Sequence, residues 1–240
     1  YSPEEVKGVS GPDAPVARNA EGEVILNSKG NPKDMYFDYD GKMYKFVGGD
    51  AKYEDINHDG QINELDIVYL GSSLPKLTGG FGFKLNYARW KVNFQFNYRV
   101  GNKVINKARM DAESMANNNN QCRSVNWRWH NEGDITFLPR AATTKTDYDT
   151  YNYLGSDRFV EDASFLRLNY IQISYDFDRN FIKKLGLSHL TCNVNLNNLF
   201  LLTRYSGVDP EVAQAGYSAA SDGGRTPRSK SFTFSLNLGL

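Results

Sequence analysis

The sequence predicts an all-β, antiparallel protein whose strands form part of a transmembrane β-barrel with long external loops. Three observations lead to this fold class. Apolar and polar residues alternate strictly in several segments, aromatic residues make up 13% of the chain beside a mean hydropathy of -0.57, and long and short connections alternate. A barrel in a membrane combines apolar outward positions with polar inward positions and polar loops. No run of about eighteen apolar residues occurs, so no transmembrane helix is expected.

The alternation is clearest at the end of the chain, where apolar residues alternate with Ser, Thr, Asn and Gly. These apolar residues are Phe232, Phe234, Leu236, Leu238 and Leu240. The same two-residue period predicts membrane strands at 79–87, 91–105, 163–177, 189–203 and 231–240. Their polar positions carry mostly Asn, Gln, Ser, Thr and Gly with few charges. This composition favours the interior of a wide barrel over the water-facing side of a soluble sandwich.

The connections give the predicted sidedness, because such barrels have short periplasmic turns and long external loops. If the last strand ends at the periplasm, 88–90 and 178–188 are periplasmic turns. The long connections, assigned to the external side, are 1–78, 107–162 and 204–230. We therefore divide the chain into an external loop region with a small hairpin, 1–78, and a strand region, 79–240. The predicted strands are too few to close a barrel, so others are expected from residues outside this sequence.

Charge and motifs exclude several functions. The 28 basic and 28 acidic residues give a formal net charge of zero, so the basic excess that nucleic-acid binding needs is missing. No Ser-His-Asp signature, phosphate-binding loop or Cys-x-x-Cys motif occurs, and the three histidines are scattered. Cys122 and Cys192 form no ligand pattern. We expect neither an enzyme nor a nucleic-acid partner.

The most specific chemical motif is the stretch 55–66, which has the spacing of an EF-hand-type calcium loop. The expected ligands are Asp55, Asn57, Asp59, Gln61, Asn63 and Asp66. Gln61 would offer its backbone carbonyl, and Gly60 would allow the sharp turn. Calcium would stiffen the loop without any catalytic role. The alternative is an Asx-rich turn that bonds only to water and its own backbone.

A second candidate site is an aromatic and charged cluster in the predicted external loop 107–162. It consists of Trp127, Arg128, Trp129 and His130. Aromatic rings can cover the apolar faces of a sugar or a peptide, while polar groups hold its hydroxyls or amides. The alternative for each residue is packing within the loop. As a region, the cluster is the best candidate for ligand or lid contact.

Aromatic residues also fall near the predicted strand ends, where a membrane barrel carries an aromatic girdle. They are Tyr87, Trp90, Tyr175 and Phe177. Lys183 and Lys184, in the predicted turn 178–188, would lie near lipid headgroups. A solvated helical turn is the alternative for these two lysines.

Six segments, in order over residues 50–240, resemble the SusC-like TonB-dependent transporters. The first is the acidic Asp-x-Asn-x-Asp-Gly loop that begins at Asp55. The other five lie at 74–81, 159–168, 183–187, 198–200 and 205–211. They include Phe-Val-Glu-Asp-Ala-Ser-Phe-Leu-Arg-Leu and Tyr-Ser-Gly-Val-Asp-Pro-Glu.

The resemblance implies the C-terminal strands of a barrel with about 22 strands in the outer membrane of a Gram-negative bacterium. It implies import of oligosaccharides or peptides, driven by TonB through a missing N-terminal plug region. It also implies a SusD-like surface lipoprotein as a lid. The residues alone leave two other functions open: a secreted, calcium-stabilised β-sandwich that binds carbohydrate, and an enzyme domain.

Overall fold

The structure, a computed structural model, describes residues 15–39, 41–115, 120–141, 151–212 and 218–240. The chain divides into two compact units. The first comprises Tyr1–Leu70 and Lys107–Phe159, and the second comprises Gly71–Asn106 and Val160–Leu240. Within the described ranges, every helix is too short or too polar to span a bilayer.

The first unit is organised around a three-stranded sheet and a small apolar core. Strands β1 (Tyr36–Tyr39) and β2 (Lys42–Lys45) are antiparallel, and β3 (Gln61–Ile62) pairs in parallel with β1. This pair is a small hairpin within 1–78, as the sequence predicts, and Asp40 between its strands is outside the described residues. The buried core consists of Ala17, Met35, Phe37, Tyr44, Phe46 and Ile62.

The described parts of 107–159, namely 107–115, 120–141 and 151–159, are mostly irregular. It contains α1 (Lys107–Glu113) and two 3-10 helices, Arg123–Trp127 and Asp157–Phe159. A third 3-10 helix, Glu64–Asp66, follows β3 and closes the acidic loop 55–66.

The second unit is dominated by one antiparallel five-stranded sheet. Its strands are β4 (Leu77–Tyr87), β5 (Trp90–Val100), β8 (Phe165–Asp176), β9 (His189–Thr203) and β10 (Ser231–Gly239). Two short strands, β6 (Lys103–Ile105) and β7 (Val160–Asp162), form a separate pair, and α2 spans Arg179–Lys184. The sheet order is β10-β9-β8-β5-β4, so β4 and β10 are its edges among the described strands.

One predicted strand is shorter than expected. The sequence predicts a single strand over 91–105, but β5 ends at Val100 and β6 pairs with a different partner. Gly101 causes the break, because its φ of +83° is a left-handed conformation that other residues rarely adopt. A Cβ at this position would also lie 2.9 Å from the Lys76 side chain.

The apolar residues of the large sheet share one face, which is exposed on the edge strands β4 and β10 and half-exposed over most of the central strands. Phe232 and Phe234 are 66% and 58% exposed. In register with them, Phe234 lies beside Val194, and Phe83 of the far edge lies beside Phe94. A soluble sandwich would seal these side chains between two sheets. Among the described strands, no second sheet covers this face, so the packing that the sandwich alternative requires is not observed.

A bulge in the middle of β8 changes which residues of that strand face the apolar side. Phe94 pairs with Ile171, but Phe96 pairs with Leu168, so one extra residue is accommodated between them. Apolar-side residues are therefore odd-numbered after the bulge and even-numbered before it. As a result, Phe165 and Arg167 lie on the polar face, where both are buried.

Candidate functional site

The acidic loop 55–66 folds around the carboxylate of its first residue. The two Asp55 carboxylate oxygens accept hydrogen bonds from the backbone N–H groups of Asp59 (3.2 Å) and Gly60 (2.8 Å). Asn57 Oδ1 accepts from the same Asp59 N–H (3.0 Å), and Asp59 Oδ1 accepts from Gln61 N–H (2.7 Å). Gly60 makes the turn with a φ of +84°. These bonds gather the first four predicted ligand residues on one tight turn.

Asp66 joins the two ends of this loop. Its Oδ1 accepts from Ile56 N–H (2.8 Å), and its Oδ2 accepts from Asn63 N–H (2.9 Å). Asn63 Oδ1 in turn accepts from Leu65 N–H (2.8 Å), which forms a capping box on the 3-10 helix. Ile62 anchors the loop from below, because it is part of the buried core.

The donor chemistry of the loop fits a hard cation. The six predicted residues supply three carboxylates, two side-chain amides and a backbone carbonyl, all oxygen donors of the kind that calcium prefers. Among the described residues, no three His, Cys, Asp or Glu side chains converge on one point. The observed bonds are also those of an Asx-rich turn, so calcium binding stays a prediction.

The aromatic cluster is divided between a cavity and the interior of the loop. Trp127, at the end of its 3-10 helix, is 62% exposed, with the Arg123 guanidinium 5.7 Å from its ring centre. Trp129 instead lies flat on Gly49, where an added Cβ would come within 2.4 Å of the indole ring. Packing therefore accounts for Trp129, whereas Trp127 is available for contact.

An open cavity of about 810 Å³ lies next to Trp127 in the first unit. Its lining combines apolar and charged side chains that include Trp127, Arg128, His130, Asp134, Phe137 and Arg158. Three of the four residues in the predicted cluster thus line one space. Asp134 shapes the rim, because its carboxylate accepts from the N–H groups of His130 and Asn131, each at 2.9 Å. These backbone bonds, that from Asn131 first, hold the pKa of Asp134 below its usual range.

A buried ion-pair network forms one wall of the cavity. Glu113 of α1 bonds Arg109 Nε at 2.9 Å and Arg158 Nη2 at 2.6 Å. Arg158 Nη1 also donates to the Phe137 carbonyl (2.7 Å), and both guanidiniums lie over the Phe159 ring. Sequence reasoning missed this wall. The Arg109–Glu113 spacing of four residues is visible in the sequence, but the contact with Arg158 is not.

A second buried carboxylate, Asp50, organises the rest of the first unit. It accepts from Tyr44 Oη (2.7 Å), Val47 N–H (3.0 Å) and Arg140 Nε (2.7 Å). Burial and the hydrogen bond to Asp50 raise the pKa of Tyr44 to about 12. Asn152 donates to Asp50 (3.4 Å) and accepts from Ala51 N–H (2.8 Å). These bonds connect the two long segments of the first unit, 1–70 and 107–159.

On the polar face of the large sheet, side chains bond mainly to one another. Ser174 donates to Asn193 (2.6 Å), and Asn93 donates to Gln172 (3.2 Å). Beyond these amides, Arg167 bonds Asp209 at 2.5 Å and Glu211 at 3.5 Å. The segment 205–211 is thereby tied to β8, as a structured turn.

Comparisons with curated proteins find TonB-dependent receptors, although no family model matches the chain. TonB-dependent receptor P39 of Formosa agariphila is 30% identical over 198 residues, which cover 80% of this chain and 19% of that receptor. TonB-dependent receptor SusC of Bacteroides thetaiotaomicron is 25% identical over 195 residues, covering 78% of this chain and 17% of SusC. The chain thus spans about one fifth of the length of these relatives.

Solved structures of a peptide importer share the fold. The RagAB peptide importer in its "closed-closed" state matches with a TM-score of 0.60 at 19% identity, over 90% of this chain and 20% of that chain. The RagAB peptide transporter matches with a TM-score of 0.59 at 22% identity, over 71% and 18%. At this identity the likeness concerns the fold alone.

Proposed function

This chain belongs to the SusC-like family of TonB-dependent receptors, and from that membership we propose that it contributes strands to an outer-membrane barrel that imports a nutrient. The observation that carries the proposal is the exposed apolar face of the five-stranded sheet. Monomeric soluble proteins rarely expose apolar patches of this extent. In a Gram-negative outer membrane, the same face would contact hydrocarbon.

The polar face supports the complementary half of the proposal. Its amides and hydroxyls satisfy one another within the sheet, as in the pair Ser174 and Asn193. Such a surface suits the interior of a barrel, because uncharged polar groups there can form hydrogen bonds to one another, to water or to a plug. We propose that the strands that close the barrel, about 22 in all as the resemblance implies, and a plug that contacts TonB come from residues outside this sequence.

We propose that the cargo is an oligosaccharide or a peptide and that it passes without bond chemistry. The cavity beside Trp127 supports both cargo classes, because an exposed ring and charged rim groups can hold sugars or peptides. The fold neighbours are described as a peptide transporter and importer. A SusD-like lipoprotein that covers the external loops is the proposed partner.

The orientation of the sheet is tested by single spin labels on the full-length protein in lipid vesicles, with Cys122 and Cys192 replaced by Ser. Phe234→Cys and Ser235→Cys place the label on opposite faces of β10. We expect the label at 234 to be accessible to dissolved oxygen and shielded from a water-soluble nickel reagent, with the reverse at 235. Equal accessibility of both positions to the nickel reagent would contradict the proposal.

The cargo site is tested by binding measurements on the same protein with panels of oligosaccharides and peptides. Trp127→Ala should lower the affinity for the best ligand about tenfold, because a ring that covers a ligand contributes about 1.4 kcal/mol or more to the free energy of binding. Tyr69→Ala is the matched control, since Tyr69 is an exposed aromatic outside the cavity. Equal effects of the two changes would exclude this cavity as the ligand site.

For the loop 55–66, we propose a structural calcium ion held by Asp55, Asn57, Asp59, Gln61, Asn63 and Asp66. The test is terbium luminescence and calcium titration, with protease resistance of the loop as a second readout. Asp59→Asn should lower affinity by at least tenfold, because one anionic ligand is lost. Glu64→Gln is the control, since Glu64 lies within the loop but outside the ligand spacing. Unchanged protease resistance on chelation would refute the calcium site.

A further inference from the structure

A continuous row of aromatic rings runs along one end of the large sheet, on its apolar side. The strand register pairs Tyr87 with Trp90, and Trp90 with Tyr175. Ring centres of Trp90 and Tyr175 are 4.7 Å apart, and those of Tyr175 and Phe177 are 5.1 Å apart. The row therefore has one aromatic residue on each of three neighbouring strands, with ring contacts from Trp90 to Phe177.

The short helix α2 extends this row beyond the strands. The ring of Phe181 stacks on Phe177, with centres 5.7 Å apart and planes tilted by 26°. Phe181 is nevertheless 49% exposed, and Leu185, one helical turn later, is also exposed. Ile182, the next residue along the helix, is instead buried. The helix thus presents an apolar stripe in line with the apolar face of the sheet.

The position of α2 is set by its N-terminal cap. Asp178 accepts from Asn180 N–H (3.1 Å) and forms an ion pair with Arg89 of the β4–β5 turn. Nearby, Lys91 is neutralised by Asp176 at 2.6 Å. The acidic groups at this end are therefore already paired with cations from the strands.

Three further cations on α2 have no such partner. Arg179, Lys183 and Lys184 are all exposed, and none takes part in an ion pair within the described part of the chain. The two lysines lie in the last turn of the helix, beside the exposed Leu185. An apolar stripe flanked by three uncompensated positive charges has the composition of a surface that lies at a lipid headgroup layer.

We infer that α2 and the aromatic row form an anchor that binds the headgroups of anionic phospholipids at this membrane surface. The inference rests on the proposed barrel function, since the aromatic row continues the face assigned to hydrocarbon. Tyr and Trp are enriched at the depth of the headgroups, where the ring is partly in hydrocarbon and its polar atom in water. Phe181 and Leu185 insert below this level, and the three cations bind phosphate above it.

Charge complementarity selects anionic over zwitterionic lipid. Each Lys or Arg near an anionic surface strengthens binding by roughly fivefold, so three of them together predict about a hundredfold preference at low salt. The preference should fall as salt is added, because exposed charges are screened within about 10 Å at 0.1 M ionic strength. A helix that merely faces water would have no lipid preference at any salt concentration.

The experiment uses the full-length protein in phosphatidylcholine nanodiscs, with a polarity-sensitive fluorophore on Asn180→Cys in the background without Cys122 and Cys192. Phosphatidylglycerol is titrated in and the change in emission gives its apparent affinity. The triple variant R179Q/K183Q/K184Q should weaken that affinity by at least tenfold. The control K29Q/K42Q/K52Q removes the same charge from exposed positions of the first unit and should leave it unchanged.

The outcomes separate this inference from the proposed function. A protein that inserts into nanodiscs but shows equal fluorophore response to phosphatidylglycerol and phosphatidylcholine would overturn the headgroup anchor alone. Loss of affinity in the control variant as large as in the triple variant would also overturn it, because the effect would then be one of net charge. A full-length protein that does not insert at all would overturn the barrel proposal itself.

Discussion

The two units of the chain place the same kinds of side chain in opposite environments. In the first unit, Phe46 is 2% exposed and packs in a core with Met35 and Phe37. In the second, Phe234 and the other apolar residues of the edge strand β10 are exposed on one face of the sheet. If the sheet lies in a membrane, as proposed, the difference comes from the surroundings of each element. A unit that folds on itself in water must bury its apolar groups, whereas a strand in a membrane turns them towards lipid.

This contrast also governs the polar groups. The first unit buries carboxylates such as Asp50 and Glu113 and satisfies each with several donors from distant segments. The sheet of the second unit spreads neutral amides over its polar face and keeps most of its ion pairs near the strand ends. Buried ion pairs therefore add to the apolar core of the first unit, whereas backbone pairing between long strands dominates the second unit.

A substitution at Phe46 is the most direct test of this difference in environment. We expect Phe46→Ala to destabilise the first unit by about 3–5 kcal/mol, because a buried ring leaves a cavity. Phe234→Ala should reduce the stability of the sheet in a bilayer much less, since lipid fills the space left by the ring. Hydrogen exchange of each unit in the full-length protein measures both effects. Equal losses at the two positions would contradict the difference in environment.

Glu113 tests whether the buried ion pairs are needed for the fold of the first unit. Glu113→Ala should destabilise the segment around α1 by about 3–5 kcal/mol, because the buried charge of Arg158 loses its carboxylate. Asp111→Ala is the control on the same helix, where the ion pair with Lys107 is exposed and contributes about 1 kcal/mol or less. Hydrogen exchange over 107–113 and 151–159 reports the result. Similar exchange in the two variants would show that the network is dispensable.

A substitution at Leu236 tests the environment of the apolar face of the sheet. Leu236→Arg should lower the free energy of unfolding from lipid by about 2–4 kcal/mol, because it places a charge in hydrocarbon. Asn237→Arg, one residue further along β10, points to the polar face and should cost clearly less. Urea titration of the full-length protein in vesicles measures both. If Asn237→Arg proves the more costly change, the assignment of the two faces is reversed.

The smallest expected effect concerns the rim of the cavity. Since the pKa of Asp134 is lowered in the folded state, its contribution is present above its unfolded pKa of about 3.9 and is lost as the pH falls through the lower folded value. Exchange at the N–H groups of His130 and Asn131, corrected for intrinsic rates, should therefore increase at strongly acidic pH. Asp134→Ala should remove this dependence. A wild-type rate that is independent of pH would contradict the role of this turn.

The strands could be predicted from the sequence because a two-residue period of apolar residues shows which side chains share one face of a strand. The prediction for 189–203 matches β9 at both ends, and 231–240 differs from β10 by one residue. It was wrong for 91–105, because the period of two continues across Gly101 while the backbone does not. The bulge in β8 was also invisible, since it adds one residue without any change in composition.

Less of the candidate site could be predicted. The acidic loop 55–66 was recognisable because all its interacting groups lie within twelve residues of each other, at a known spacing. The cavity wall was not, because Glu113 and Arg158 meet only after the chain between them has folded. Trp129 was indistinguishable from Trp127 in sequence. Its packing depends on Gly49, which lies in the other long connection of the first unit, 1–78.

The bulge of β8 has a consequence for how this strand tolerates insertions and deletions. With a strict two-residue period through the whole strand, Arg167 would lie on the apolar side with Ile171; the extra residue, Asn169, places it on the polar side, where it reaches Asp209. Loss of the codon for Asn169 would remove the bulge and leave Leu168 opposite Phe96, so Arg167 would stay on the polar side. A deletion at this one position is therefore less damaging than a deletion at a neighbouring position of the strand, which would exchange the two faces.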